Sequence, residues 1–320
     1  MHIWEKWIKR PQTVWVRKVL FQIHLWTGIA LGLYVFVVCV SGSLAVFNSE
    51  LYSAFLPPPK MVEITGAPLS RAELRAAAQR AHPRAAITRI NIWPDPHEAA
   101  VVSLGVPTYS DQRFIDPYTG KDLGTARPIG LRMVSFFSQV HMNLLMGYGG
   151  RLMNGVGGFL ASILSITGMV IWWPGVRRWR GSLTVGWNRN FKRLNWDLHS
   201  AIGFWTFAII LMWAITGAYL VFPRPFDTAM ALIPYGRLID LRVIAHPIHV
   251  GDFAGWPIKA LWVILGFAPP VLFVTGSIMW WHRVLNPWRK RAFVTRPQPS
   301  GLAVSQLLEG SALNSERYGI

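Results

Sequence analysis

The sequence predicts an all-α polytopic membrane protein: four transmembrane helices arranged as two parallel-repeat helix pairs, with a small α+β domain on the outer side. Three observations carry that prediction. Hydrophobic residues make up 52% of the 320-residue chain, charged residues only 15%, and there are 17 Trp. Four runs, Leu20–Leu44, Leu152–Trp173, Ile202–Phe222 and Pro257–Trp281, are long enough to cross a bilayer core; a core of about 30 Å takes about 20 helical residues. The runs also match one another in pairs at fixed offsets.

The charge pattern orients the spans. Lys6, Lys9, Arg10, Arg17 and Lys18 precede the first run, which is too long for a removed signal peptide, lacks a small-residue cleavage site and reads as a signal anchor. Arg177, Arg178, Arg180, Arg189, Lys192 and Arg193 lie between the second and third runs, and Arg283, Arg289, Lys290 and Arg291 follow the fourth. With four spans these clusters fall on one side, the positive-inside pattern, so both termini are expected to be cytoplasmic. The net charge of +17 is therefore a topological signal, and nucleic acid is not an expected partner. The chain divides into a cytoplasmic N-terminus (1–19), a first span (20–52), an outer domain (53–130), an interfacial helix with the second span (131–174), and a basic cytoplasmic loop (175–197). A third span (198–222), a short outer segment (223–256), a fourth span (257–282) and a cytoplasmic tail (283–320) complete it.

In the outer domain, Ser70 with Glu73 three residues on predicts a capping-box helix start within 68–83. The stretches 85–93 and 99–106 read as strands joined by a turn at 95–98, and 113–124 as a strand, a Pro and Gly turn, and a return. Trp93, Tyr109 and Tyr118 are expected to pack that sheet or line a ligand face. Residues 131–147 are apolar enough to lie at the membrane surface. Cys39 stands alone inside a span, so neither a disulfide framework nor a thiolate metal site is expected.

The internal repeat is the most informative feature. His24, Gly28, Ser41, Gly42, Val46 and Phe47 of the first span recur as His199, Gly203, Thr216, Gly217, Val221 and Phe222 of the third, each displaced by 175 residues. At a displacement of 108, "TGMVIWW" (167–173) falls on "TGSIMWW" (275–281), Gly158 on Gly266, Arg151 on Lys259, Gly147 on Gly255 and His141 on His249. Two helix pairs of the same orientation, related by a pseudo-twofold axis along the membrane normal, follow.

His24 and His199 then stand at the cytoplasmic ends of their spans, and His141 and His249 at the outer ends, each pair able to face itself across the axis. Two imidazoles from opposite sides are what a six-coordinate haem iron needs. Gly28 and Gly203, one turn along from their histidines, would let a flat macrocycle approach backbone. A lone membrane histidine also serves simply to bond a neighbouring helix, and glycines are ordinary helix-packing residues. Recurrence at one register in both halves favours ligation. Zinc or copper is the nearest competitor, but a closed zinc site wants about four ligands near one point, whereas these pairs lie at opposite faces. His282 and His246 are candidates to replace an assigned ligand, while His2, His82 and His97 are expected to be exposed. From His24 to Phe47 is about 35 Å of helix, so the two layers sit near opposite faces and imply a transmembrane electron path.

There is no phosphate-binding GxxxxGK[ST] motif, and the glycines of 147–158 do not open a βαβ unit. Electrons are therefore expected from another protein or from quinol. No mid-membrane charged pathway or broken helix is read from the spans, which ranks transport of an iron complex lower.

The ordered motifs "HLWTGIALG" with "SGSLAVF", "VHMNLLMGYGGRLMNGVGG" with "TGMVIWWPGVRRWRG", "HSAIGFW" with "TGAYLVF", and "IHVGDFAGWPIKALWVILGF" with "TGSIMWWHR" resemble the PepSY-associated transmembrane family. "SRAELRAAAQRAHPRAAITRINI" with "FIDPYTGKDLG" resembles the periplasmic PepSY module itself. The resemblance spans about residues 20–285. It implies a multi-pass protein of the bacterial inner (cytoplasmic) membrane whose four-helix core holds two b-type haems through His24, His141, His199 and His249. It further implies one-electron reduction of periplasmic ferric-siderophore complexes to release Fe(II), with no catalytic residues beyond the haems. Residues 223–256 are too few for a second PepSY-like module. The rival expectation is a non-catalytic, membrane-anchored PepSY binding or inhibitory module, or an accessory protein of siderophore-iron uptake.

Overall fold

The computed structural model describes residues 3–105, 110–234 and 240–287; Tyr109, Arg289, Lys290, Arg291 and His2 lie outside them. A short helix α1 (Ile3–Lys9) and a 3₁₀ turn (Pro11–Thr13) lead into α2 (Trp15–Ala45) and α3 (Asn48–Phe55). The outer domain follows as α4 (Arg71–Ala81) and strands β1 (Ala86–Asn91), β2 (Ala100–Gly105), β3 (Ser110–Ile115) and β4 (Asp122–Thr125). The chain then runs through α5 (Ile129–Asn143), α6 (Gly147–Trp172), α7 (Phe191–Val221), α8 (Pro223–Ala231), α9 (Leu241–Val250), α10 (Trp256–Gly266) and α11 (Ala268–Trp280), ending in a π-helical turn (Trp281–Leu285).

Among the described residues, four helical segments are long and apolar enough to cross a membrane: α2, α6, α7 and the α10–α11 stretch. They cover the predicted spans to within one residue, with α2 and α7 starting earlier than hydropathy alone indicates. α2 packs on α6 and α11, and α7 packs on the same two, so α2 and α7 occupy opposite corners of the bundle. Large side chains such as Trp26, Leu33, Ile166, Trp205 and Ile264 point outward and stay exposed. In water such a surface would be an aggregation liability; against acyl chains it is not.

The expectation of unbroken spans fails in the fourth. It divides at Phe267, between α10 and α11, where Pro269 and Pro270 follow. Proline lacks an N–H and its ring clashes with the preceding turn, so the ladder cannot run straight through. The Phe267 N–H turns to the Ile264 carbonyl at 3.2 Å instead. Ser43 of α2 presses on this joint: a side chain at Gly266 would meet its hydroxyl.

The domain expected on the outer side is a four-stranded antiparallel meander in order β1-β2-β3-β4 with α4 packed against it. Ser70 caps α4 as predicted: its hydroxyl accepts from the Glu73 N–H while the Glu73 carboxylate accepts from the Ser70 N–H. The side chains of Leu74, Ala78, Ile87, Ile90, Val102, Leu104 and Ile115 form the core beneath the helix. Trp93 is 45% exposed and does not pack that core, because the chain has left β1 by then; Tyr118 donates to the Pro96 carbonyl at 2.7 Å. His82, expected to be exposed, is half-buried and bonds Asp122 at 2.6 Å, and Arg113 reaches the same carboxylate at 3.0 Å. That carboxylate ties the end of α4 to β3 and β4.

Leu74 is fully buried, so Leu74→Ala should destabilise the outer domain by about 2–5 kcal/mol, seen as faster pulse proteolysis within 71–126 with the membrane helices unaffected. Asp122 supplies a pH signature. Burial raises its pKa, but the Gly124 N–H, Arg113 and His82 outweigh that and hold it below the ordinary value. Such a group stabilises the fold above its unfolded pKa, and the contribution is lost as pH falls through the folded one. Outer-domain stability should therefore drop on acidification below about pH 4, and Asp122→Asn should weaken the domain at neutral pH and flatten that acid limb.

Candidate functional site

Four histidines meet in two pairs. His24 on α2 and His199 on α7 face one another with ring centroids 6.4 Å apart and planes at 83°. His141 on α5 and His249 on α9 face with centroids 6.0 Å apart and planes at 41°. The corner-to-corner placement of α2 and α7 brings the first pair together. For the second, turns aim α5 and α9 inward. Leu144 and Leu145 take left-handed backbone after α5, and Gly147 and Gly255, matched at the 108 displacement, have φ of 58° and 76° just before α6 and α10.

Each ring is held from behind by a neighbouring helix through Nδ1. His24 Nδ1 lies 3.1 Å from the Leu164 carbonyl and 3.4 Å from the Thr167 hydroxyl. His141 Nδ1 lies 2.9 Å from the Val38 carbonyl. His199 Nδ1 is 2.9 Å from Thr275 Oγ1, and His249 Nδ1 is 2.8 Å from Thr216 Oγ1. Both threonine hydroxyls donate to their own helices, to Val271 and Met212 at 2.7 Å each, so their oxygens act as acceptors. A carbonyl also only accepts. Every ring is therefore the Nδ1–H tautomer, with Nε2 left as the basic nitrogen.

The same helices press a glycine on each imidazole. A Cβ at Gly42 would stand 2.7 Å from His141 Cε1, and one at Gly168 2.9 Å from His24 Cε1. At Gly276 and Gly217 the distances to His199 and His249 Cε1 are 3.3 and 3.4 Å. The dipeptides Thr167-Gly168, Thr216-Gly217 and Thr275-Gly276 thus each clamp one histidine, while at Ser41-Gly42 the glycine presses on His141 and the Val38 carbonyl takes the place of the hydroxyl. Gly28 and Gly203, singled out from sequence, have a different place: a Cβ there would meet Leu164 and Leu272, both at an ordinary 3.7 Å. The dipeptides were legible in the repeat, but the partner of each was not.

The layers are nearer than the expected 35 Å. His141 packs at the level of Val38 and Gly42, not Phe47, because α5 folds back along α2; the separation along α2 is about 24 Å. At the sheet end, buried Lys259 pairs with Glu50 at 2.7 Å and Asp252 at 3.2 Å. Sequence reading registered Lys259 only as the counterpart of Arg151. Arg151 itself donates to the Leu220 carbonyl at 3.1 Å, and Arg132 is exposed. His246 is exposed on α9, and His282 lies in the π-helical turn with its Nδ1 unpartnered among the described residues. No cluster of three or more metal-ligating side chains occurs among the described residues, so a metal at either pair would meet two imidazoles.

Crossing helices, an appended sheet domain and histidines paired across the bundle define a multi-pass membrane protein. Residues 21–238 and 235–283 match the family described as the PepSY-associated TM region, and the chain belongs to that family. No curated protein matches the chain.

Because the clamp glycines touch imidazole while Gly28 and Gly203 do not, Gly42→Ala and Gly168→Ala should displace their histidines. Gly28→Ala and Gly203→Ala should leave them in place, as read from imidazole resonances of ¹⁵N-histidine-labelled protein.

Proposed function

We propose that this protein is a dihaem electron-transfer protein of the bacterial inner membrane that reduces periplasmic ferric-siderophore complexes, releasing Fe(II). The observation that carries the reading is the pair of facing imidazole pairs, each ring fixed with its basic Nε2 free. The donor set suits the cofactor: with a metal–imidazole bond of about 2 Å on each side and roughly half a ring beyond it, centroids stand about 6 Å apart, and the two pairs measure 6.4 and 6.0 Å. When bound, haem supplies one-electron redox chemistry at each level.

The rest is work for the chain's own residues. His24 and His199 hold the inner cofactor, His141 and His249 the outer. Carbonyls and threonine oxygens behind Nδ1 orient the rings and raise the basicity of Nε2. Matching contacts at Gly168 and Gly276, Gly42 and Gly217, and Thr167 and Thr275 support two helix pairs related by a pseudo-twofold axis. With basic clusters cytoplasmic and the sheet domain periplasmic, traffic runs outward from a cytoplasmic reductase or quinol. No general base is needed: hard siderophore oxygens favour Fe(III), so one added electron loosens the chelate without breaking a covalent bond. Arg132 and Arg151 lie near the outer pair in sequence, where cationic groups suit an anionic chelate.

The alternative, a membrane-anchored PepSY binding module or uptake accessory, draws on one feature: a pocket of about 250 Å³ in the outer domain lined by Arg71, Arg75, Thr88, Arg89 and Ile90. An absorption spectrum of protein purified after haem-replete expression separates the readings. Two b-type haems per chain are expected. His141→Ala or His249→Ala should lose one of them together with ferric-chelate reduction, while His282→Ala should keep both. A colourless preparation would leave the binding module.

A further inference from the structure

Three buried groups at the His24 end that can only donate have no partner among the described residues, Trp172 Nε1, Trp280 Nε1 and Arg17 Nε, and His282 Nδ1, two residues past Trp280, is unpartnered beside them. Buried polar groups in native proteins are nearly always hydrogen-bonded, so an orphan points to a missing acceptor. Two of the three are counterparts: Trp172 and Trp280 are related by the same 108 displacement as Gly168 and Gly276. Each stands one helical turn beyond the glycine that presses on His24 or His199, hence on nearly the same helix face. Chance disorder of a side chain would not orphan the same atom at both positions.

Arg17 adds the sign of the charge. It stands two turns before His24 on the same face of α2. Its Nη2 donates to the Ile171 carbonyl, the residue beside Trp172. No carboxylate lies within ion-pair distance of it among the described residues, whose ion pairs involve other cations. Indole N–H only donates, and guanidinium is always cationic. The complement of this set is therefore an acceptor that carries negative charge. A quinone carbonyl accepts but is uncharged, and leaves Arg17 uncompensated; a ligand with two carboxylates, one toward Trp172 and Arg17 and the other toward Trp280, satisfies all three.

We propose that Trp172, Trp280 and Arg17 form a carboxylate-binding station that anchors the propionates of the haem held by His24 and His199, an inference that rests on the dihaem reading. These are positioning residues: they fix the rotation of the macrocycle about its axial bonds and neutralise its peripheral charge. Neutralising that charge favours the ferrous state, so removing the donors lowers the midpoint potential.

The test compares haem with its dimethyl ester, which keeps the ring and iron but has no free carboxylates. Full-length wild type, Trp172→Phe/Trp280→Phe and Arg17→Gln, in nanodiscs, are loaded with either compound. Release to excess apomyoglobin is then followed, the relevant phase being the one absent from His24→Ala. Haem should leave both variants about tenfold faster than wild type and show a lower midpoint potential, while the ester leaves all three proteins at one rate. Equal acceleration of haem and ester would mean lost packing only and overturn the station. So would release and potential unchanged from wild type. A wild type that takes up no haem overturns the dihaem reading itself, and the station with it.

Discussion

The hydrogen bond from each imidazole Nδ1 to the helix behind it is the constraint on which the rest of this structure depends. It commits every ring to one tautomer, and the tautomer leaves Nε2 as the basic nitrogen. A glycine beside each hydrogen bond removes the side chain that would otherwise push the ring forward. The clamp is made four times, with small variations. Thr167, Thr275 and Thr216 each present an oxygen to a ring, and Ser41 stands where the fourth threonine would be, but its hydroxyl does not reach His141, whose Nδ1 goes to the Val38 carbonyl instead. Such rigidity in a low-dielectric bundle is what a metal–ligand site requires, since a loosely held imidazole would lose affinity and orientation together.

The surrounding fold serves that geometry. α2 and α7 sit at opposite corners, so side chains on them meet at the bundle centre and not at a helix–helix seam. α5 and α9 do not cross the bundle; they lie against it and bring His141 and His249 in from the rim just ahead of the tight turns that lead into α6 and α10. Lys259, buried and paired with Glu50 and Asp252, braces the start of α10 against the segment that follows α2. The sheet domain is a separate piece of physics, with an aliphatic core under a capped helix and a carboxylate hub at Asp122. A single chain thus combines a lipid-solvated scaffold and a water-solvated one, each stabilised in the manner its solvent permits.

Much of this could be read from residues alone. Hydropathy located the spans, the capping box located α4, and two constant offsets paired His24 with His199 and His141 with His249. What escaped was whatever depends on how elements lean. The fold-back of α5 along α2 sets the second layer at Val38 and Gly42, short of the end of α2, and no periodicity encodes that angle. The Pro269-Pro270 pair was visible in the fourth span, yet its consequence, a joint at Phe267 braced by Ser43, depends on what packs there. His82 and Asp122 are 40 residues apart in the chain and meet only because the sheet curls under α4. Gly28 and Gly203 drew notice for their spacing from histidine, but the imidazoles lean toward other helices, so Gly42, Gly168, Gly217 and Gly276 carry the contact.

The most direct measurement of the central claim, that each facing pair shares one iron, is low-temperature electron paramagnetic resonance of the oxidised protein. Ligand planes near perpendicular give a strongly axial low-spin ferric signal, and more inclined planes a rhombic one. With planes at 83° for His24 and His199 and 41° for His141 and His249, the account predicts two distinct low-spin signals, the axial one from the first pair and the rhombic one from the second. A high-spin ferric signal, or none attributable to haem, would contradict it.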